Sequence, residues 1–315
     1  MSTPDALKVA VVVVSFETRE LLQRCLESVR AEQPPETVVV DNGSTDGSSE
    51  LVRGEFPDVR LVVNRRNRGY GAAANQALAA CASPAALLLN SDTELERGAL
   101  RALGRYLAEH PAAGVVGPRL ADPAGRLQPS TLSYPSVADM LMGDTGLHRV
   151  VRRIPGFRGR FLRTWAHDAA RVVPWVSGAA LAIRRSAFEA VGGFDERYFM
   201  YWEEVDLCRR MAAAGFQTHY APVTTVVHAR SASTSKQAAM MRREWLLSYG
   251  RYLATHETRR SGAAQLRLLR ALAHARATRA RVRRLTTRDR ERRRLLSDTV
   301  AEWDALLHER GLWDL

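Results

Sequence analysis

The chain has 315 residues, 46% of them hydrophobic, and a net charge of +12, which supplies a substantial core and excludes an intrinsically disordered protein. The charge is local: residues 259–294 carry fourteen arginines against Asp289 and Glu291, equal to the whole excess, so the remainder is close to neutral. Cys25, Cys81 and Cys208 are odd in number and far apart, which excludes a disulfide framework or a C-x-x-C site and fits a reducing compartment.

The early apolar run Val9–Val14 is too short for a membrane span and follows Asp5 and Lys8, unlike a signal sequence, so a cytoplasmic protein is expected. Lys8 to Ser15 is continuous valine without alternation, the pattern of an inner strand in a parallel sheet covered on both faces. Thr18 is a helix-capping type, and Leu21, Leu22, Cys25, Leu26 and Val29 follow at helical spacing. TVVVD (37–41) predicts a second strand, and NGSTDGSSELVRGEF a turn and helix with Asp46 as candidate cap. VRLVV (59–63) predicts a third strand, GYGAAANQALAACA a helix and AALLLNSD (85–92) a fourth strand.

This alternation predicts a doubly wound, mostly parallel α/β sheet that binds ligands at the carboxyl ends of its strands. Ser15 and Glu17, Asp41 and Asn42, Asn64 to Gly69, and Asn90 to Asp92 would then share one rim. Beyond Asp92 the rhythm changes. A looser, Pro-rich stretch begins at Gly114–Pro118 and runs through Pro135 and Pro155, and WVSGAALAIRR (175–185) reads as a short strand with a Ser-Gly break. YFMYWEEVDLCRRMAAAGF (198–216) reads as a helix that Gly215 terminates, followed by a strand reaching His228. From about Met240 the chain is helical and basic.

The Asp-Asn-Gly-Ser of VVVDNGSTDGS is ordinary turn chemistry; equally, an acceptor at the tip of an inner strand can pair with the imide N–H of uracil or thymine. NRRNRGYGAAAN contains Gly69-x-Gly71-x-x-Ala74, a dinucleotide-binding spacing, but that fingerprint belongs straight after a first strand, and here Asn64 to Arg68 intervene after a third. Arg68 and the backbone N–H groups near Gly69 suit a diphosphate instead. In LLLNSDTEL the strand fixes Asp92 where it can cap a helix or hold a hard cation. In FMYWEEVDLCRRM (199–211), Glu203 and Glu204 open a helix whose dipole favours negative charge. Asp206 with Arg209 and Arg210 reads as a solvated helix pair.

Taken in order, VVVVSFETRELLQRCLESV, VVVDNGSTDGS, NRGYGAAANQA, LLLNSDTEL, VSGAALAIRRSAFEAVGGFDERYFMYWEEVDLCRRMAAAGF and VVHARSAST closely resemble family 2 glycosyltransferases with the GT-A fold, in particular the rhamnosyltransferase-like branch. The resemblance covers about residues 8–235 and implies an inverting transfer from a nucleotide-diphosphate sugar, assisted by Mg or Mn, to an acceptor hydroxyl. It makes Asp41 the base-binding acid and Arg68 the diphosphate-side arginine, with Ser15, Phe16, Glu17, Asn42, Gly69, Asn75, Asn90 and Ser91 in donor-binding motifs. Asp92 stands as the metal acid and His228 as a second metal or diphosphate ligand. Glu204 stands at the catalytic base, with Glu203 its rival. Trp175, Ser177, Gly178, Tyr201 and Trp202 would line the sugar and acceptor side. Two departures are Asn90-Ser91-Asp92 in place of the fuller Asp-x-Asp, and Glu204 in place of the usual Asp.

The expected organisation is a GT-A domain at 1–235, with a nucleotide-sugar half at 1–118 and an acceptor half at 119–235, then a basic helical extension at 236–315. The resemblance points to dTDP-L-rhamnose as donor, with a UDP-sugar second, and to a carbohydrate or lipid-linked acceptor. In the extension, Leu266, Leu269 and Leu272 among arginines suit an anionic membrane surface, an oligomer contact or a solvated helix pair; nucleic acid is disfavoured because interleaved aromatics are absent from 259–294. The non-catalytic alternative is a sugar-nucleotide or NAD module using the GYGAAA turn.

Overall fold

All seven residues of β1 (Val9–Ser15) are buried, because β2 (Thr37–Asp41) and β4 (Ala85–Asn90) flank it in parallel and helices cover both faces. Val9, Val11 and Val13 join a core with Leu22, Leu26, Leu103 and Leu107. Ala10, Val12 and Val14 join one with Ala73, Ala77 and Leu207 on the opposite face. Side chains alternate across a strand, so a strand apolar on both sides needs an unbroken apolar run.

The computed structural model describes residues 5–144, 165–229, 238–309 and 311–314. It divides into two compact units, the first comprising 5–134 and 165–229 of these residues, the second 135–144 and those from 238 onward. Residues 135–144 thus group with the C-terminal helices rather than with the acceptor half; Pro155 and the end of the VVHARSAST stretch, from Arg230, lie outside the described residues.

The first unit is built on a ten-stranded sheet ordered β3-β2-β1-β4-β9-β6-β10-β5. Its first four strands, including β3 (Arg60–Val63), are parallel. Beyond them the sheet is mixed. β9 (Ala180–Arg184) runs antiparallel between β4 and β6 (Ala113–Ala121), and β10 (Gln217–His228) runs parallel to β6. β5 (Thr93–Leu95) closes the edge antiparallel to β10, setting His228 opposite Thr93. Short β7 (Leu127–Gln128) and β8 (Arg171–Val172) attach to β6 and β10.

The connecting helices are α1 (Arg19–Ala31), α2 (Ser48–Glu55), α3 (Tyr70–Ala79), α4 (Ala99–Glu109), α6 (Arg185–Ala190) and α7 (Glu203–Ala213). Thr18 precedes α1 but makes no cap hydrogen bond. Asp46 takes that part, accepting from Arg19 N at 2.8 Å and from Ser48 N at 3.0 Å, so it serves the starts of both α1 and α2. Gly114–Pro118 is no loose stretch: it lies inside β6, where a Cβ on Gly117 would stand 2.6 Å from Val176 Cβ. The glycine there serves close packing. The helix of the aromatic segment starts only at Glu203, because Tyr201 and Trp202 are left-handed at φ +67° and +71°. Gly215, at φ +88°, ends it as expected.

The second unit comprises α5 (Val137–Asp144), α8 (Ala238–His256), α9 (Arg259–Thr286) and α10 (Arg290–His308). Thr258 caps α9 and Asp289 caps α10. On α9, Leu266, Leu269, Ala273, Ala277 and Ala280 recur at helical spacing and are buried. Leu266 and Leu269 therefore belong to this unit's own core and are not a membrane-facing stripe. An Arg281–Asp304 ion pair ties α9 to α10.

Candidate active site

The parallel register brings the ends of β1, β2 and β4 to one rim, with Ser15 beside Asp41 and Val14 beside Asn90. Thr18 Oγ1 spends its hydrogen bonds here, on Ser15 Oγ at 3.1 Å and Ser91 Oγ at 2.7 Å. Asn42 organises the loop after β3. Its Nδ2 donates to Asn67 Oδ1 and to the Gly69 carbonyl, and its Oδ1 accepts from Asn64 Nδ2 and Arg68 N. Glu17 clasps the next loop by accepting from Thr45 N and Oγ1.

Two expected donor residues make internal hydrogen bonds. Asp41 is fully buried, with Oδ1 taking Ser44 N at 2.9 Å and Oδ2 bonded to Ser49 Oγ, so in this structure it shapes the rim from beneath. Asn75 brackets Phe194, accepting from its N–H and donating to its carbonyl, both at 2.9 Å. Phe16 is half-buried and Arg68 exposed; the Arg68 guanidinium lies 3.4 Å from Glu196.

Antiparallel pairing of β5 with β10 returns His228 to Asp92, with Nε2 3.4 Å from Oδ1. Gln128 sets the orientation of that imidazole. Its Nε2 donates to the His228 carbonyl at 2.7 Å, which turns Oε1 toward Nδ1 at 3.0 Å. Nδ1 then carries the proton, and in neutral imidazole the Nε2 lone pair faces the Asp92 carboxylate. Two electron-pair donors directed at one point suit a divalent cation. Among the described residues no cluster of three or more His, Cys, Asp or Glu surrounds such a point, so these two side chains could supply only part of a divalent cation's coordination shell. Gln128 was missed from sequence, since its only signal is a register that pairs β7 with β6.

The aromatic segment docks on the donor loop. Tyr70 N donates to the Phe199 carbonyl at 2.8 Å, and a Cβ on Gly69 would stand 2.4 Å from that oxygen. Gly69 is required by contact as well as by its φ of +87°. Tyr70, also missed from sequence, donates its hydroxyl to the Gly178 carbonyl at 2.8 Å. Burial, then the charges of Glu203, Glu204 and Asp92, raise its phenol well above the ordinary range.

Gly71 and Gly178 lie against the acids: Cβ atoms there would stand in ordinary contact, 3.7 Å from Glu203 Cβ and 3.9 Å from Glu204 Cβ. Glu203 is buried and Glu204 half-buried. Burial, followed by the charge of Glu204, raises Glu203 well above the usual carboxylate range. Burial also raises Glu204, opposed by backbone N–H groups including that of Gly178. The Oε2 atoms of both are buried without a hydrogen-bond partner. Asp206 is buried rather than solvated, because Arg210 Nε reaches its Oδ2 at 2.7 Å while Arg210 Nη1 donates to Val191 O.

Trp175 and Ser177 are held against residues 130–133: Trp175 Nε1 donates to Ser133 O at 3.2 Å and Ser177 N to Ser130 O at 2.7 Å. Tyr201 and Trp202 are half-buried, immediately before the paired acids.

The family model described as "Glycosyltransferase like family 2" matches residues 4–247. An N-acetylglucosaminyl-diphospho-decaprenol L-rhamnosyltransferase of Mycobacterium tuberculosis is 36% identical over 248 residues, 73% of this chain and 78% of that protein. A pre-mycofactocin glycosyltransferase of the same species is 30% identical over 228 residues, covering 72% of this chain and 44% of that protein. The mannosyltransferase PcManGT from Pyrobaculum calidifontis, solved with GDP-Man and Mn2+, superposes with a TM-score of 0.56 at 18% identity, over 98% of this chain and 90% of that one. GalNAc-T7, solved with UDP, GalNAc and Mn2+, gives 0.53 at 17% identity, over 71% of this chain and 44% of that one. The fold is therefore GT-A, and the chain belongs to glycosyltransferase family 2.

Proposed function

We propose that this glycosyltransferase moves L-rhamnose from dTDP-L-rhamnose to a hydroxyl of a lipid-linked sugar acceptor, with inversion, in cell-wall or surface-polysaccharide assembly at the cytoplasmic face of the membrane. The donor and acceptor rest on likeness to the decaprenol-linked rhamnosyltransferase. The observation that carries the chemistry is geometric: His228 Nε2 stands 3.4 Å from Asp92 Oδ1 at the strand-end rim, while Glu203 and Glu204 open α7 beside Gly71 and Gly178.

An inverting displacement needs a base on the acceptor hydroxyl and compensation for charge on the departing diphosphate. Asp92 and His228 would hold Mg or Mn, which when bound supplies charge stabilisation to diphosphate oxygens. Glu204 fits the base. It is the more exposed of the pair, its Oε2 lacks a partner, and burial makes it more basic than an ordinary carboxylate. Glu203, the more buried of the two with the charge of Glu204 beside it, is assigned the protonated role, which leaves the negative charge to Glu204. Tyr201, Trp202 and Trp175 give flat apolar surface for sugar rings and limit water at the donor. Phe16 and Arg68 give the rim open surface for the nucleotide.

The pre-mycofactocin relative, named without a lipid carrier, suits a second reading, transfer to a soluble or natural-product acceptor, for which a UDP-sugar is the alternative donor. Offering dTDP-L-rhamnose and UDP-sugars separately with Mn2+, each with polyprenyl-diphospho-N-acetylglucosamine or a soluble acceptor, distinguishes them. Transfer of rhamnose to the lipid-linked acceptor is expected; turnover confined to a UDP-sugar and a soluble acceptor overturns the first reading.

A further inference from the structure

The end of α9, the start of α10 and the turn between them form a surface that the transfer chemistry does not use. Nine arginines fall between residues 279 and 294, against Asp289 and Glu291. Three large apolar side chains stand out among them: Val282 is 54% exposed, Leu285 76% and Leu295 60%. They lie off the buried stripes of their helices, which run through Ala273, Ala277 and Ala280 on α9 and through Val300 and Trp303 on α10. Val282 and Leu285 share one face of α9 at i, i+3 spacing. Folding within the unit buries Leu266 and Leu269 but leaves these three to solvent.

We propose that this α9–α10 tip docks on an anionic phospholipid bilayer, its arginines on headgroup phosphates and Val282, Leu285 and Leu295 in the interfacial layer. Charge complementarity selects the partner. A surface of arginines meets a negative leaflet favourably, and exposed aliphatic side chains gain by leaving water there. Self-association through the same tip would bring like charges together. A nucleic-acid backbone would engage the arginines but give the aliphatic side chains no apolar contact, and residues 259–294 contain no aromatics for stacking on bases. Among the described residues no helix is long and apolar enough to cross a membrane, and the contact proposed for the tip is interfacial. This deepens the lipid-linked acceptor reading without using its chemistry.

The test is co-sedimentation of the full chain with phosphatidylglycerol-containing vesicles and with pure phosphatidylcholine vesicles, none containing acceptor, so lipid binding and sugar transfer can fail separately. Binding is expected only to the anionic vesicles and should fall with salt. The triple change Val282→Ser, Leu285→Ser, Leu295→Ser should weaken it about tenfold or more at an unchanged melting temperature. Arg283→Gln with Arg288→Gln and Arg292→Gln gives a second variant, expected to lose the salt-sensitive part. Equal binding to neutral vesicles, wild-type binding by both variants, or binding to RNA without binding to vesicles would each overturn the proposal.

Discussion

His228 Nε2 lies 3.4 Å from Asp92 Oδ1, and Gln128 fixes the imidazole from its other side. If the pair holds a divalent cation, the outer partner tunes it, because the proton on Nδ1 keeps Nε2 free to donate its lone pair. Gln128→Leu is expected to weaken Mn2+ binding in the presence of nucleoside diphosphate by about tenfold or more. Mn2+ titration followed by electron paramagnetic resonance reads this without turnover, and unchanged affinity would remove Gln128 from that role.

Glu203 gives a stability change with a definite sign. Its folded-state pKa is raised above the ordinary value of 4.5, so the folded state binds the proton more tightly than the unfolded chain. Its favourable contribution is complete below about the unfolded value and is lost as pH rises through the folded value. Glu203→Gln imitates the protonated acid. It should raise the melting temperature relative to wild type above the folded pKa, with the difference shrinking toward pH 4 (roughly, from the unfolded value). Thermal melts across pH check this; a variant less stable at neutral pH would show that Glu203 is held as the anion.

Gly69 tests the join between the donor loop and the aromatic segment. A Cβ there meets the Phe199 carbonyl at 2.4 Å, at a φ that disfavours side chains. Gly69→Ala should cost about 1–3 kcal/mol in urea unfolding and reduce transfer by displacing Tyr70 and the paired acids. Wild-type stability and activity would mean that the two segments are not mutually positioned by this contact.

The parallel half of the fold was legible because β1 to β4 are short apolar runs ending in polar residues, and each such end lies on the rim. The insertion of β9 antiparallel between β4 and β6 was not, since pairing partners distant in sequence leave no local period. For the same reason Gln128 escaped notice while His228 and Asp92 did not. Asp41 was recognised by its place at a strand tip, but sequence does not show which way a carboxylate turns, and Ser44 and Ser49 hold it inward. Leu266 and Leu269 left three readings open because helical spacing marks an apolar face without saying whether lipid, a second copy or the chain's own helices cover it. Glycines at 114 and 117 suggested a loop, whereas burial makes them packing positions.

The most direct measurement is single-turnover transfer by Glu204→Gln beside Glu203→Gln, with donor affinity measured separately by calorimetry. Glu204→Gln should lower the transfer rate by about two to four orders of magnitude with donor affinity within a few-fold of wild type, whereas Glu203→Gln should keep most of the rate. Near-normal turnover by Glu204→Gln, or a loss confined to Glu203→Gln, would contradict the assignment of Glu204 as the base.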